Sequence, residues 1–226
     1  LYGNRVLAEM QQIIKYYDIY EHGAEFKVDT GLDYIPADYR SKQAKRLVDK
    51  QARFMFAATP DMLVDIPIKD NKDTGKEQSI LQGLIDKVLS ENNIARKLIA
   101  AAKDCFIGKR VACLVNFNEQ SGVTIQFLRS TQFVYETSDN NPNEVKKFVA
   151  FITTKYSQKK VDKRIFKKKY ELEYENNEPV VYLTEEVYDG TGMLLETPFE
   201  RQSILLSQIP VAIIVNDGLS GDTVGI

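Results

Sequence analysis

Histidine occurs once in this chain, as His22, and cysteine only twice, as Cys105 and Cys113. These shortages remove most familiar site chemistry. Nucleophilic and acid–base mechanisms draw heavily on histidine. Zinc sites need ligands in closely spaced pairs, which two cysteines and one histidine do not supply here. Both cysteines lie inside apolar stretches, a placement that fits a reducing compartment better than a disulfide framework. His22 stands beside Gly23 at a predicted helix end, where an imidazole suits the helix dipole.

Long apolar runs are also missing. The run around Ile209 to Val215 falls far short of the ~20 residues that a membrane helix requires, so no span is expected. Charge of one sign is missing too. Thirty basic and 32 acidic side chains leave a net charge of -2, and nothing global draws the chain to nucleic acid, an acidic membrane or an acidic substrate. The nearest approach to a phosphate loop, Gly108-Lys109-Arg110, joins a helix to a strand in the wrong order. Gly218, Gly221 and Gly225 with Asp217 and Asp222 match no EF-hand spacing and read as a connector. No cofactor is implied, and the chain reads as a non-enzyme. The start shows neither an initiating Met nor a signal-peptide pattern, and the end stops after a loop, so truncation at both ends is expected.

What is present is a core-forming composition: 226 residues, 43% hydrophobic, enough for one large domain or two packed lobes. Val6, Leu7, Met10, Ile13, Ile14 and Tyr17 share one helical face, and that helix should end near Gly23. Asp29, Gly31, Asp33 and Pro36 mark a connector. A second helix is expected from Ser41, as N-cap, through Ala44, Leu47, Val48, Ala52, Met55 and Phe56 to Pro60. Met62 to Ile68 reads as a short strand, followed by a polar loop over Lys69 to Lys76. Two more helices carry Ile80, Leu81, Leu84, Ile85, Val88 and Leu89, then Ile94, Leu98, Ile99, Ala102, Cys105 and Phe106, with Asn92 and Asn93 breaking and recapping between them.

From Arg110 the period changes to alternation. Val111, Cys113, Val115 and Phe117 read as the core row of a first strand, and Gly122 as the turn into Val123, Ile125 and Phe127. Further strands are expected at Phe133 to Glu136, Lys147 to Tyr156, Phe166 to Tyr174, Val180 to Tyr188 and Pro210 to Val215. Helices precede strands, which predicts an α+β fold: N-terminal helices (1–107) packed with a mainly antiparallel β region (108–226) that carries a long projecting hairpin.

Two sets of side chains are candidates for chemistry. Asp61 with Asp65, or Glu185 and Glu186 with Asp189, are the carboxylates a metal nuclease would use, although acidic ladders of this kind are ordinarily solvated surface. The sharpest local charge is basic, with Lys155, Lys159, Lys160, Lys163, Arg164, Lys167, Lys168 and Lys169 interrupted only by Asp162. On the expected hairpin, Lys159, Lys160, Lys163, Arg164, Lys167 and Lys168 are candidate contacts for nucleic-acid phosphates or for a protein partner. The tip lacks the interleaved aromatics that stack on bases, and solvation alone also accounts for it.

Four stretches in order resemble the portal, or head-tail connector, proteins of tailed bacteriophages of the siphophage type. They are Tyr16-Tyr-Asp-Ile-Tyr-Glu-His-Gly23, Lys45-Arg-Leu-Val-Asp-Lys-Gln-Ala-Arg-Phe-Met-Phe56, the segment from Asn93 to Val115 that runs through Gly108, and Ile209-Pro-Val-Ala-Ile-Ile-Val-Asn-Asp-Gly218. Order and spacing carry the resemblance more than any one match. It implies that residues 1–226 form a wing-like portal body, with stem, clip and crown lying beyond Ile226. It further implies a dodecameric ring of this chain at one capsid vertex, a conduit for DNA packaging and ejection and a site of head-tail attachment. The implied partners are further copies of itself, major capsid and scaffolding proteins, the terminase large subunit, a head-tail adaptor, and double-stranded DNA passing without sequence specificity; no membrane is implied. The implied location is the virion, after assembly in the bacterial cytoplasm or from a prophage. The alternative from the residues alone is a nucleic-acid-binding module acting through the basic hairpin.

Overall fold

A computed structural model of the chain describes residues 2–25, 40–65, 74–118, 122–141, 143–154 and 164–216. Helices come first: α1 (Tyr2–His22), α2 (Gln43–Met55), α3 (Thr74–Glu91) and α4 (Ile94–Gly108), with a two-residue ladder of β1 (Ala24–Glu25) and β2 (Arg40–Ser41) between α1 and α2. Eight strands follow: β3 (Arg110–Asn118), β4 (Gly122–Arg129), β5 (Phe133–Thr137), β6 (Val145–Thr154), β7 (Arg164–Glu175), β8 (Glu178–Asp189), β9 (Leu194–Ser203) and β10 (Val211–Val215). They form two antiparallel sheets, one ordered β10-β3-β4 and the other β5-β6-β7-β8-β9. The fold is α+β with antiparallel sheets, as the change of period at Arg110 predicts.

The two sheets face each other across the main core. Ala112, Leu114 and Leu128 from the smaller sheet meet Phe133, Phe148, Tyr170 and Val181 from the larger one. Phe148 lies with its ring centre 5.7 Å from Phe133 and 6.3 Å from Tyr170, which adds aromatic contact to burial. The Tyr170 hydroxyl donates to Asn116 Oδ1 at 3.1 Å, giving the phenol of this apolar layer a partner on the opposite sheet. On its other side the smaller sheet receives α4, with Ala101 and Cys105 packed on Val111 and Phe127. The layers therefore run helix, sheet, sheet.

Strand β3 is the centre of that stack, and this corrects the expected core row. Ala112 and Leu114, the row opposite to the predicted one, are fully buried between the sheets. Of the predicted row, Val111 is covered by α4, while Val115 and Phe117 are exposed. A strand buried on both faces at one end does not alternate cleanly.

Helix α1 ends where a glycine was expected to end it: Gly23 takes φ 90° and its N–H bonds the Ile19 carbonyl at 2.9 Å. Ser41 does not cap α2; it belongs to β2, and Lys42 precedes the helix without a side-chain cap bond. The helix stops at Met55, ahead of Pro60. Residues 61–65 form no strand. Their backbone is held by side chains of α3 instead: Gln82 Oε1 accepts from Val64 N–H, Gln82 Nε2 donates to the Met62 carbonyl, and Gln78 Nε2 donates to the Val64 carbonyl. The glutamine amides satisfy donors and acceptors that a strand would offer a neighbour. The rest of that expected strand, the 29–36 connector and the 218–225 glycine loop lie outside the described residues.

The break between α3 and α4 falls at the Asn pair. Asn93 adopts φ 49°, and Asn92 turns its buried amide onto β4: Nδ2 donates to the Val123 carbonyl at 2.9 Å while Oδ1 accepts from Ile125 N–H at 2.7 Å. One side-chain amide thus presents to the edge of β4 the donor and acceptor of a neighbouring strand. Lys97 completes it by donating to the Ile125 carbonyl at 2.7 Å.

Candidate functional site

The charged hairpin was the first candidate. Lys159, Lys160 and Lys163 lie outside the described residues; Arg164 opens β7 on an exposed position, opposite Asp189 of β8 in register. Lys167 and Lys168 face Glu186 and Glu185 directly across the β7–β8 ladder. Lys167 Nζ lies 2.7 Å from Glu186 and 5.7 Å from the Tyr188 ring centre, and Lys168 Nζ lies 2.6 Å from Glu185. Hydrogen bonding to Glu186 raises the Lys167 pKa, and the same bond holds the Glu186 carboxyl below the usual carboxylate range. These ammonium groups are committed to carboxylates before any phosphate arrives. Cross-strand pairs of this kind each stabilise a sheet by about 0.2–1 kcal/mol.

The same pairing answers for the acidic candidates. Glu185 and Glu186 are held by the two lysines, with Tyr188 also donating to Glu186 at 2.9 Å. Asp189 is a turn cap: its Oδ1 accepts from Thr191 N–H, Thr191 Oγ and Met193 N–H, bonds that lower its pKa. Asp61 and Asp65 sit on the extended stretch beside α3, both exposed. Among the described residues no three His, Cys, Asp or Glu side chains converge on a point that would hold a metal ion. His22 bonds Asp18 one turn back in α1, at 2.8 Å on an exposed face.

A cleft of about 620 Å³ opens at one end of the two-sheet core, walled by Val115, Leu172, Pro179 and Pro210. Its polar lining comprises Asn141, Asn143, Glu144, Ser207 and Gln208 besides Tyr174, which donates to Glu144 at 2.7 Å, and the Cys113 thiol. Burial pushes that thiol's pKa up, and a protonated thiol is a poor nucleophile.

The feature with no internal use is the helical surface. Polar clamps hold the helices to one another and α4 to β4: Tyr17 donates to Asp104 at 3.0 Å, Arg129 of β4 pairs with Asp104 at 3.1 Å, Tyr20 donates to Asp49 at 2.7 Å, and Lys103 pairs with Asp49 at 2.6 Å. Burial, then the Asp49 hydrogen bond, pushes the Tyr20 phenol up to about 12. Ile13 and Ala52 are buried beneath these clamps. Other members of the apolar stripes stay exposed, Leu7 and Ile14 on α1, Leu47 and Met55 on α2, and Ile80, Leu81 and Leu84 on α3, and so does Phe54 of α2. The sequence periodicity named most of these as core; the structure leaves them uncovered. Phe54, at 87% the most exposed of the described aromatic side chains, lies off the stripe that predicts the helix, so periodicity does not single it out.

No family model matches this chain, and no curated protein matches it either. Among the described residues no helix is long and apolar enough to cross a membrane.

Proposed function

We propose that this chain is an architectural subunit of a phage portal ring, its wing-like body, with copies of itself as first partners. One observation carries the reading: three successive helices, α1 to α3, keep large apolar side chains exposed. Exposed apolar side chains concentrated on one part of a chain mark a surface that another protein covers. The succession of helices, a helix running through Gly108 into the first strand, and a Pro-strand element at Pro210 accord with the resemblance drawn from the four sequence stretches. Asp49, Asp104, Lys167, Lys168, Glu185, Glu186 and Asp189 are engaged in bracing helices, ladders and turns, work suited to a scaffold. Capsid and scaffolding proteins, terminase and head-tail adaptor are the further partners under this reading, and double-stranded DNA would pass through the ring without sequence readout. The basic hairpin gives the nucleic-acid module less support, since Lys167 and Lys168 are already paired.

Electron microscopy and mass photometry of the native protein test the proposal. Closed rings with one subunit number are expected. A protein that stays monomeric at micromolar concentration, or that forms only dimers, sinks it.

A further inference from the structure

Two of the exposed surfaces differ in sign and shape. On α2, helical geometry sets Arg46, Leu47, Lys50, Arg53 and Phe54 within one third of the circumference, with Lys50 central, the two apolar side chains along one flank and the two arginines along the other. All five are exposed. The helix's only acidic side chain, Asp49, lies on the inward face and is held by Lys103 and Tyr20, so it neutralises none of the three cations. Among the described residues none of the three makes an ion pair.

The second surface is a groove of about 370 Å³ where the stretch after α2 crosses the α3–α4 corner. Met62, Leu89 and Ile94 supply its apolar wall, and Asp61 and Asp86 supply two carboxylates. Gln82 Nε2 donates across it at 2.8 Å to both the Met62 carbonyl and Asp86, which leaves the Asp86 charge in place. Phe54 of the same chain does not fill the groove, being almost wholly in solvent.

We infer that these are the two halves of one contact, in which Phe54 and the cations of α2 on one copy seat in the acidic groove of the next copy. An exposed aromatic flanked by cations is the kind of anchor that dominates an interface, and the opposite signs steer and orient the encounter. The occupant is a second copy because one chain carries both complementary surfaces. The contact uses different surfaces on its two sides, so it propagates head to tail and closes into a ring if its rotation divides the circle. This rests on the ring reading and assigns that ring its contact surfaces.

The test is a charge exchange read by sedimentation velocity and mass photometry. Arg46→Glu/Lys50→Glu/Arg53→Glu reverses the helix face; Asp61→Lys/Asp86→Lys reverses the groove; all five sites are exposed, and circular dichroism checks the fold. Each variant alone should weaken self-association at least about tenfold, Phe54→Ala should do likewise, and mixing the two reversed variants should restore it. Self-association that survives either reversal, or that mixing fails to restore, overturns the contact, as does a wild-type protein that never associates. Closed rings that survive reversal would remove this contact and leave the ring reading intact. Association lost and restored as described, but yielding open chains, would keep the contact and remove the ring.

Discussion

Gly108 shows how one missing methyl group can decide a junction. It is the last residue of α4, and a Cβ built there would lie 2.1 Å from Ser130 Oγ and 3.3 Å from both Ser130 Cβ and the Tyr17 hydroxyl oxygen. Helix propensity alone favours alanine over glycine by about 1 kcal/mol, but the space is already taken. Gly108→Ala should therefore destabilise the protein by roughly 1–3 kcal/mol, the usual range for overpacking, seen as a lower urea midpoint, and adding Ser130→Gly should recover most of it. From sequence, Gly108 was legible as the hinge between helix and strand; Ser130 as the reason for it was not, because periodicity carries no information about which distant residue arrives there. The basic hairpin divides the same way. Its charge is plain in the sequence, but the partners of Lys167 and Lys168 follow only from the β7–β8 register.

Among the elements, Asn92 joins a legible role to a hidden one. The Asn pair announces a break between helices, and α3 does end at Glu91 with α4 starting at Ile94. The grip of Asn92 on β4 is a tertiary contact that no local rule signals. Asn92→Ala should leave the Val123 carbonyl and Ile125 N–H without these partners and cost about 2–3 kcal/mol, in line with unsatisfied buried groups; equilibrium denaturation measures it, and hydrogen exchange should show Ile125 losing protection first. Strand β9 escaped the sequence reading for a physical reason. It lies at the edge of its sheet, nearly all its side chains are exposed, and it contains Pro198, so it has neither the alternation nor the composition of an inner strand. Residues 61–65 erred in the other direction, since apolar β-like composition there serves a stretch bonded to glutamines of α3. The stripes of α1 to α3 identified the helices correctly and their covered faces only in part, because periodicity reports an apolar face and not what lies on it.

Across the layers, acid–base clamps join the helices to each other and β7 to β8, and they set the response to pH. Lys103 holds the Asp49 carboxyl below its ordinary value, and Lys167 does the same for Glu186. A carboxylate depressed on folding contributes stability that is complete above the unfolded value near 4 and is lost as pH falls through the folded one. Asp104 opposes this, since burial raises its pKa and its protonation favours the folded form. Thermal melts should show the melting temperature falling below pH 4. Asp49→Asn should lower it at pH 7 and flatten that fall, the two curves drawing together as pH drops below 4; parallel curves would mean that this clamp is not what acid breaks. The guard on β4 has one more consequence. Because the latch belongs to the α3–α4 corner, prising that corner away bares a strand margin able to recruit foreign strands, so heat or a lesion in α3 should direct this protein toward fibrous aggregation before its sandwich has melted.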